Sequence, residues 1–243
     1  MTLDERRQRD RLRPALLAGG LFALVVLVVP LGALVRGQWG PLIRLDHRVE
    51  GAAHEDAVEH GIVPAVAKVV THVGAPLLLE LVTAAFVIWL LVRGHRRLAA
   101  YMAACVAGAY TLSTTGKMLV DRARPVFEDP ISHARGASFP SGHATGSAAF
   151  YLALAVVLLS LLAWPRRGWL LLMAVVVPVA VAVTRVVLGV HYVSDVTAGL
   201  LIGWGWTAAC TAFFTAWRAQ EGRPVAPLEE GVEPEAAGVE LET

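Results

Sequence analysis

Six apolar runs, separated by short charged turns, set the pattern of the chain. They cover residues 14–35, Pro76–Val92, 98–115, 144–164, 168–188 and 196–217. Each is close to the roughly 20 residues that a helix needs to cross the hydrocarbon core of a bilayer. The pattern predicts an all-α integral membrane protein, a bundle of six transmembrane helices with short interfacial helices. Residues 36–71 mix charged and apolar positions, as amphipathic helices at the outer interface would. His54 and His60 fall on the expected solvated face of that segment, with no metal-ligand spacing between them. Pro178 lies inside the fifth run and predicts a kink. Glu80 lies inside the second and is expected to face the bundle interior, because an ionisable group in lipid is costly.

Charge placement orients these spans. The ends of the chain and the turns after runs two and four hold 12 of the 21 Lys and Arg residues. Cytoplasmic segments carry such an excess, so both termini are expected in the cytoplasm of a multi-pass cell-membrane protein. The first run follows five Arg within residues 1–13 but is too long for a cleaved signal peptide, and reads as a retained span. Three parts follow: a basic cytoplasmic N-terminus over 1–13, a transmembrane domain over 14–218, and an acidic tail over 219–243. The tail has seven Glu and three Pro and is expected to be disordered.

Composition narrows the class further. The chain is 56% hydrophobic, with mean hydropathy +0.58, against about 45–50% apolar in a soluble domain. A net charge of +1 carries no nucleic-acid signal. Cys105 and Cys210 both fall in apolar runs, as buried thiols rather than a disulfide would.

Polar residues that interrupt the apolar pattern carry the candidate chemistry. Between runs five and six stands Thr184-Arg185-Val186-Val187-Leu188-Gly189-Val190-His191-Tyr192-Val193-Ser194-Asp195. Ionisable groups beside membrane spans are functional candidates by default. His191 and Asp195 are four apart, so one helical turn would put them on a common face. A carboxylate on one ring nitrogen fixes the tautomer and leaves the other nitrogen free to attack. Gly189 permits a turn that brings Arg185 back over His191, where a guanidinium suits a phosphate. Two earlier stretches stand at the same ends of the expected spans: Lys117 with Arg124-Pro125, and Pro140-Ser141-Gly142-His143. The Pro140-Ser141-Gly142 segment would open the fourth span, so its backbone N–H groups and the Ser141 hydroxyl can cradle an anion. Arg122 and His133 read as solvated loop residues.

Taken in order, K-x6-RP, PSGH and R-x5-H-x3-D, these stretches resemble the signature of the type 2 phosphatidic acid phosphatase (PAP2) superfamily. The resemblance covers about residues 71–215 and departs at Thr184, where the family usually has Ser. It implies a membrane lipid phosphatase that hydrolyses phosphatidic acid, phosphatidylglycerol phosphate or a polyprenyl diphosphate through a phosphohistidine. His191 would be the nucleophile, Asp195 its orienting partner, and His143 the proton donor and later the base. Lys117, Arg124, Arg185, Ser141 and Gly142 would hold the phosphate. Its partners would be the lipid phosphate and the bilayer, with no nucleic acid; nothing in the sequence sets the oligomeric state. No cofactor and no metal are expected, because Lys117, Arg124 and Arg185 supply the positive charge that a metal ion supplies elsewhere. The site would face the extracytoplasmic side. A lipid-linked phosphotransferase would use the same residues, a haloperoxidase shares the signature but lacks spans, and a non-enzymatic membrane scaffold would leave these charges without purpose.

Overall fold

The computed structural model describes residues 19–20, 22–161 and 168–220. The basic N-terminus, the start of the first apolar run, the turn with Arg166 and Arg167, and the acidic tail beyond 220 lie outside the described residues. Among the described residues all regular structure is helical. A π-helical turn, Ala23–Val28, leads into α1 (Val29–Arg36). There follow α2 (Gly40–Glu59), α3 (Ile62–His72), α4 (Pro76–Val92), α5 (Arg96–Val120), α6 (Gly142–Leu161), α7 (Gly168–Val187) and α8 (Val193–Gln220). The all-α expectation holds, and α4 takes the bounds of the second apolar run.

By length and apolarity, four described stretches can cross a membrane: Ile62–Val92, Gly142–Leu161, Gly168–Val187 and Val193–Phe214. A fifth is reached if Leu24–Arg36 and Gly40–Glu59, which meet at 88°, form one broken span. The expected third span is part of α5, whose 25 residues would extend roughly 37 Å at 1.5 Å each. It falls short on apolarity, because residues 98–115 hold many Ala with Gly, Ser, Thr and Tyr and only two Leu.

Two expectations need correction. The polar face of α2 points into the protein: Asp46, Glu50, His54 and Ala57 are its buried positions. His54 stacks on Phe127 with ring centroids 3.7 Å apart, whereas His60 is exposed as expected. An interfacial pattern could not reveal this, because the partners of the polar stripe, Arg122, Phe127 and Ser194, come from distant parts of the chain. Glu80 is exposed, not inward. The buried line of α4 runs through Leu79, Thr83 and Leu90, and Glu80 sits one residue, about 100°, off it.

The core gathers Tyr101, Met102 and Cys105 of α5 with Phe150, Ala153 and Val157 of α6. Cys105 and Cys210 are free and buried. Helix α6 packs most extensively against α8, then against α7 and α5. Small residues permit this approach. A Cβ on Gly203 would stand 2.5 Å from the Thr145 carbonyl and 2.9 Å from the Ala149 nitrogen. One on Gly199 would stand 2.7 Å from the Ser141 carbonyl. Helices α5 to α8 alternate in direction, so the last turns of α5 and α7 share one end of the bundle with the first turns of α6 and α8.

Candidate active site

That shared end collects the predicted residues. Helix α5 stops at Asp121 in the left-handed conformation, φ +46°, which Asp tolerates better than most side chains. The chain then runs irregularly over 121–141 until Gly142 opens α6. Helix α7 ends just past Arg185, and Gly189, at φ +66°, turns the chain toward His191. A side chain at Gly189 would press on Phe127, 2.8 Å from the built Cβ. The Ser141 N–H donates to the Asp195 carbonyl at 3.0 Å, tying the start of α6 to the start of α8.

His191 is held on both ring nitrogens. Its Nδ1 lies 3.4 Å from Asp195 Oδ2 and 3.4 Å from Ser138 Oγ. Its Nε2 lies 3.0 Å from Arg124 Nη1. A guanidinium only donates, so Nε2 accepts and Nδ1 carries the proton. Asp195 Oδ2 also accepts from Ser138 Oγ and from the Tyr192 N–H, at 2.9 Å in the latter case. Burial pushes the His191 pKa down to about 4 against the pull of Asp195, so the imidazole is neutral at pH 7. The expected pairing of His191 with Asp195 is present, though His191 precedes α8 rather than lying within it.

The cations differ in how far they are engaged. Arg124 uses every N–H: Nε to Gly136, Nη1 to Val190 and His191, Nη2 to Arg135 and Ala137. Burial lowers its pKa. Lys117 donates to the Ala137 and Pro140 carbonyls at 2.9 and 2.8 Å, leaving a third ammonium proton. Burial first, then the charge of Arg124, lowers the Lys117 pKa to about 8. Arg185 donates from Nη1 to Thr71 Oγ1 at 2.9 Å, and its buried Nε has no partner. The buried Ser141 hydroxyl is also without a partner. The His143 ring is half-buried, within electrostatic reach of Arg185, His191 and Arg124. Thr184 donates to the Val181 carbonyl of its own helix at 2.6 Å. A cavity of about 300 Å³ opens beside Arg124, lined also by Phe127, His133 and Gly189.

Arg122 is a correction. Read as a solvated loop residue, it is 8% exposed and donates to Asp195 Oδ1 and Asp46 Oδ2, both at 2.8 Å. It also donates to Ser194 Oγ at 2.7 Å and lies 3.8 Å over the Tyr192 ring. Two residues before Arg124, it carried no local signal that told a buried cation from an exposed one. His133 is exposed, as expected of a loop residue.

Comparison with known proteins meets this geometry at the same residues. The family model of the PAP2 superfamily matches residues 98–219, half of the chain, and takes in all of Lys117, Arg124, the Pro140–His143 stretch, Arg185, His191 and Asp195. The chain belongs to the PAP2 superfamily. Among curated PAP2 relatives, phosphatidylglycerophosphatase B of Bacillus subtilis is 37% identical over 89 residues, 36% of this chain and 43% of that protein. Lipid A 1-phosphatase of Rhizobium etli is 37% identical over 122 residues, 46% of this chain and 48% of that protein. The matched part thus spans less than half the length of either curated relative. A crystal structure of a transmembrane PAP2-type phosphatidylglycerolphosphate phosphatase from Bacillus subtilis superposes with a TM-score of 0.72 at 24% identity. It covers 80% of this chain and 94% of that one, so the two share a fold. With its apolar helices, this PAP2 chain is a multi-pass membrane protein.

Proposed function

We propose that the protein is a lipid phosphatase that hydrolyses the phosphate monoester or diphosphate of an amphiphile through a phosphohistidine at His191. The observation that carries the reading is the imidazole of His191 fixed between the Asp195 carboxylate and the Arg124 guanidinium. In the first step Nε2 attacks phosphorus as the bond to the lipid oxygen breaks, and His143 gives that oxygen its proton. The phosphate brings negative charge among Arg185, Arg124 and His143, which lets the His143 ring hold a proton when substrate is bound. In the second step His143 takes a proton from water, the water oxygen bonds to phosphorus and the N–P bond breaks. Phosphate leaves and the neutral imidazole returns.

Arg124 hands its Nη1 hydrogen bond from Nε2 to a phosphoryl oxygen when substrate arrives. Lys117 offers its third proton, and the unpartnered Arg185 Nε and Ser141 hydroxyl take further oxygens. Gly142 lets the start of α6 approach the anion. These fixed cations do the work that a metal does in other phosphoryl transfers, so no metal is needed. The names of the relatives suggest substrates among phosphatidylglycerol phosphate and phosphorylated lipid A, and phosphatidic acid has the same head chemistry.

We read residues 98–115 of α5 as a span, beside the four that length and apolarity support and a fifth made by the bent pair Leu24–Arg36 and Gly40–Glu59. Both termini then lie in the cytoplasm, and the site faces the extracytoplasmic side of the cell membrane. The test is phosphate release from a short-chain lipid phosphate in detergent. Turnover in excess chelator that vanadate blocks is expected; turnover that needs added magnesium would overturn the reading.

A further inference from the structure

Asp46 stands on α2, far before the residues that the family model matches. It is fully buried. Its Oδ1 accepts from the Ser194 N–H at 3.0 Å, and its Oδ2 accepts from Ser194 Oγ at 2.5 Å and Arg122 Nη2 at 2.8 Å. The other end of the guanidinium, Nη1, donates to Asp195 Oδ1 at 2.8 Å. One cation therefore bridges two buried carboxylates, one nitrogen to each.

A guanidinium facing a single carboxylate prefers the two-pronged pairing, in which two N–H groups donate in parallel, one to each oxygen. That pairing at Asp195 would draw Oδ2 away from His191 Nδ1, Ser138 and the Tyr192 N–H. The structure does not adopt it, and Asp46 is the group that occupies the second prong. We propose that Asp46 is a positioning residue. By holding Arg122 Nη2 it confines Arg122 to Oδ1 of Asp195 and so keeps Oδ2 on His191. The inference rests on the reading of His191 as nucleophile. It also gives one residue of the buried polar stripe of α2 a role, because α2 delivers the Asp46 carboxylate to Arg122.

The test compares Asp46→Asn, Arg122→Met, the double variant Asp46→Asn/Arg122→Met and His191→Ala, each checked for folding by monodispersity in detergent. Asp46→Asn keeps the shape but removes the charge and turns one of the two accepting oxygens into an NH2 donor, so the Ser194 N–H and Arg122 Nη2 can no longer both be met and the hold on Arg122 is weakened. The variant is expected to lower kcat roughly ten- to a hundredfold, as loss of a group that orients a functional side chain does, with KM within about twofold. The double variant removes the loosened cation as well, and is expected to regain at least about tenfold of the lost kcat, a coupling opposite to additivity. A structural role alone would make the double variant no faster than Asp46→Asn. Folded Asp46→Asn protein with wild-type kcat, or a folded double variant slower than Asp46→Asn, overturns the inference. If Asp46→Asn does not fold, a folded double variant within about tenfold of wild-type kcat supports it, and one further below that overturns it. His191→Ala separates the two levels. Turnover in His191→Ala sinks the phosphohistidine reading itself, whereas a dead His191→Ala beside a fully active Asp46→Asn sinks the positioning role alone.

Discussion

Arg124 Nη1 and His191 Nε2 lie 3.0 Å apart, a donor that never accepts facing the nitrogen that would attack. The contact sets the tautomer before substrate arrives, and burial holds the ring neutral down to about pH 4. The pKa is below the ordinary histidine value near 6.5, so the nucleophilic neutral form prevails above about 4 and is lost below it. Nitrogen NMR of histidine-labelled protein is expected to show the His191 ring neutral, with its proton on Nδ1, at pH 5.5. A His191 signal that titrates near 6.5 would contradict the account.

Lys117 gives the opposite limb. Its ammonium, lowered to about 8, is charged below that pH and neutral above it. KM for a lipid phosphate is therefore expected to rise above about pH 8 with kcat less affected. Lys117→Arg should remove that rise, since a guanidinium stays charged throughout the range. An unchanged alkaline limb in Lys117→Arg would show that another group is responsible.

Removing the Arg122 side chain leaves Asp46 and Asp195 as buried carboxylates without their cation. Loss of one partner from a buried ion pair costs about 3–5 kcal/mol. Arg122→Ala is expected to unfold at a clearly lower temperature in detergent than Arg135→Ala, because Arg135 is exposed. Equal unfolding temperatures would mean that Arg122 behaves as a surface residue.

The contact of α8 with α6 is testable at Gly203. A methyl group there meets backbone of Thr145 and Ala149, which cannot swing aside as a side chain tip can. Gly203→Ala is expected to cost about 1–3 kcal/mol and to lower activity by parting His143 from His191. A stability and rate matching wild type would show that the two helices are not held this closely.

The helices and the site were legible to different depths. Apolar runs located α4, α6, α7 and α8, because a hydrocarbon solvent demands a continuous apolar stretch and each helix satisfies its own backbone. That Lys117, Arg124, Ser141, His143, Arg185, His191 and Asp195 would stand at one end of the bundle was legible, because each falls at or near the end of an apolar run and their spacing matches a family signature. Arg122 and Asp46 were not: they pair across 76 positions, and neither helical period nor local spacing records a partner that far away. Ser138 was missed for the same reason, since a loop serine shows its use only when Asp195 and His191 fold against it. Glu80 was misread because a helix turns by about 100° per residue, and one position separates the face toward Leu79 from the exposed one.

The proposed orientation, with the site end of the bundle outside, can be tested directly. A reporter inserted after Glu128, in the loop between α5 and α6, should read out as extracytoplasmic. One inserted after Gly94, in the turn between α4 and α5, should read out as cytoplasmic. The reverse result at either position contradicts the six-span arrangement.

The phosphohistidine itself is the most direct test. Wild-type protein is mixed with a phosphorus-labelled short-chain lipid phosphate, quenched within one turnover in alkali, where phosphohistidine survives, and digested for peptide mapping. The account predicts label on the peptide that contains His191, none in His191→Ala, and turnover in that variant reduced at least about ten-thousandfold. Unlabelled wild-type protein that still releases phosphate, or His191→Ala protein that turns over at a near-normal rate, would contradict it.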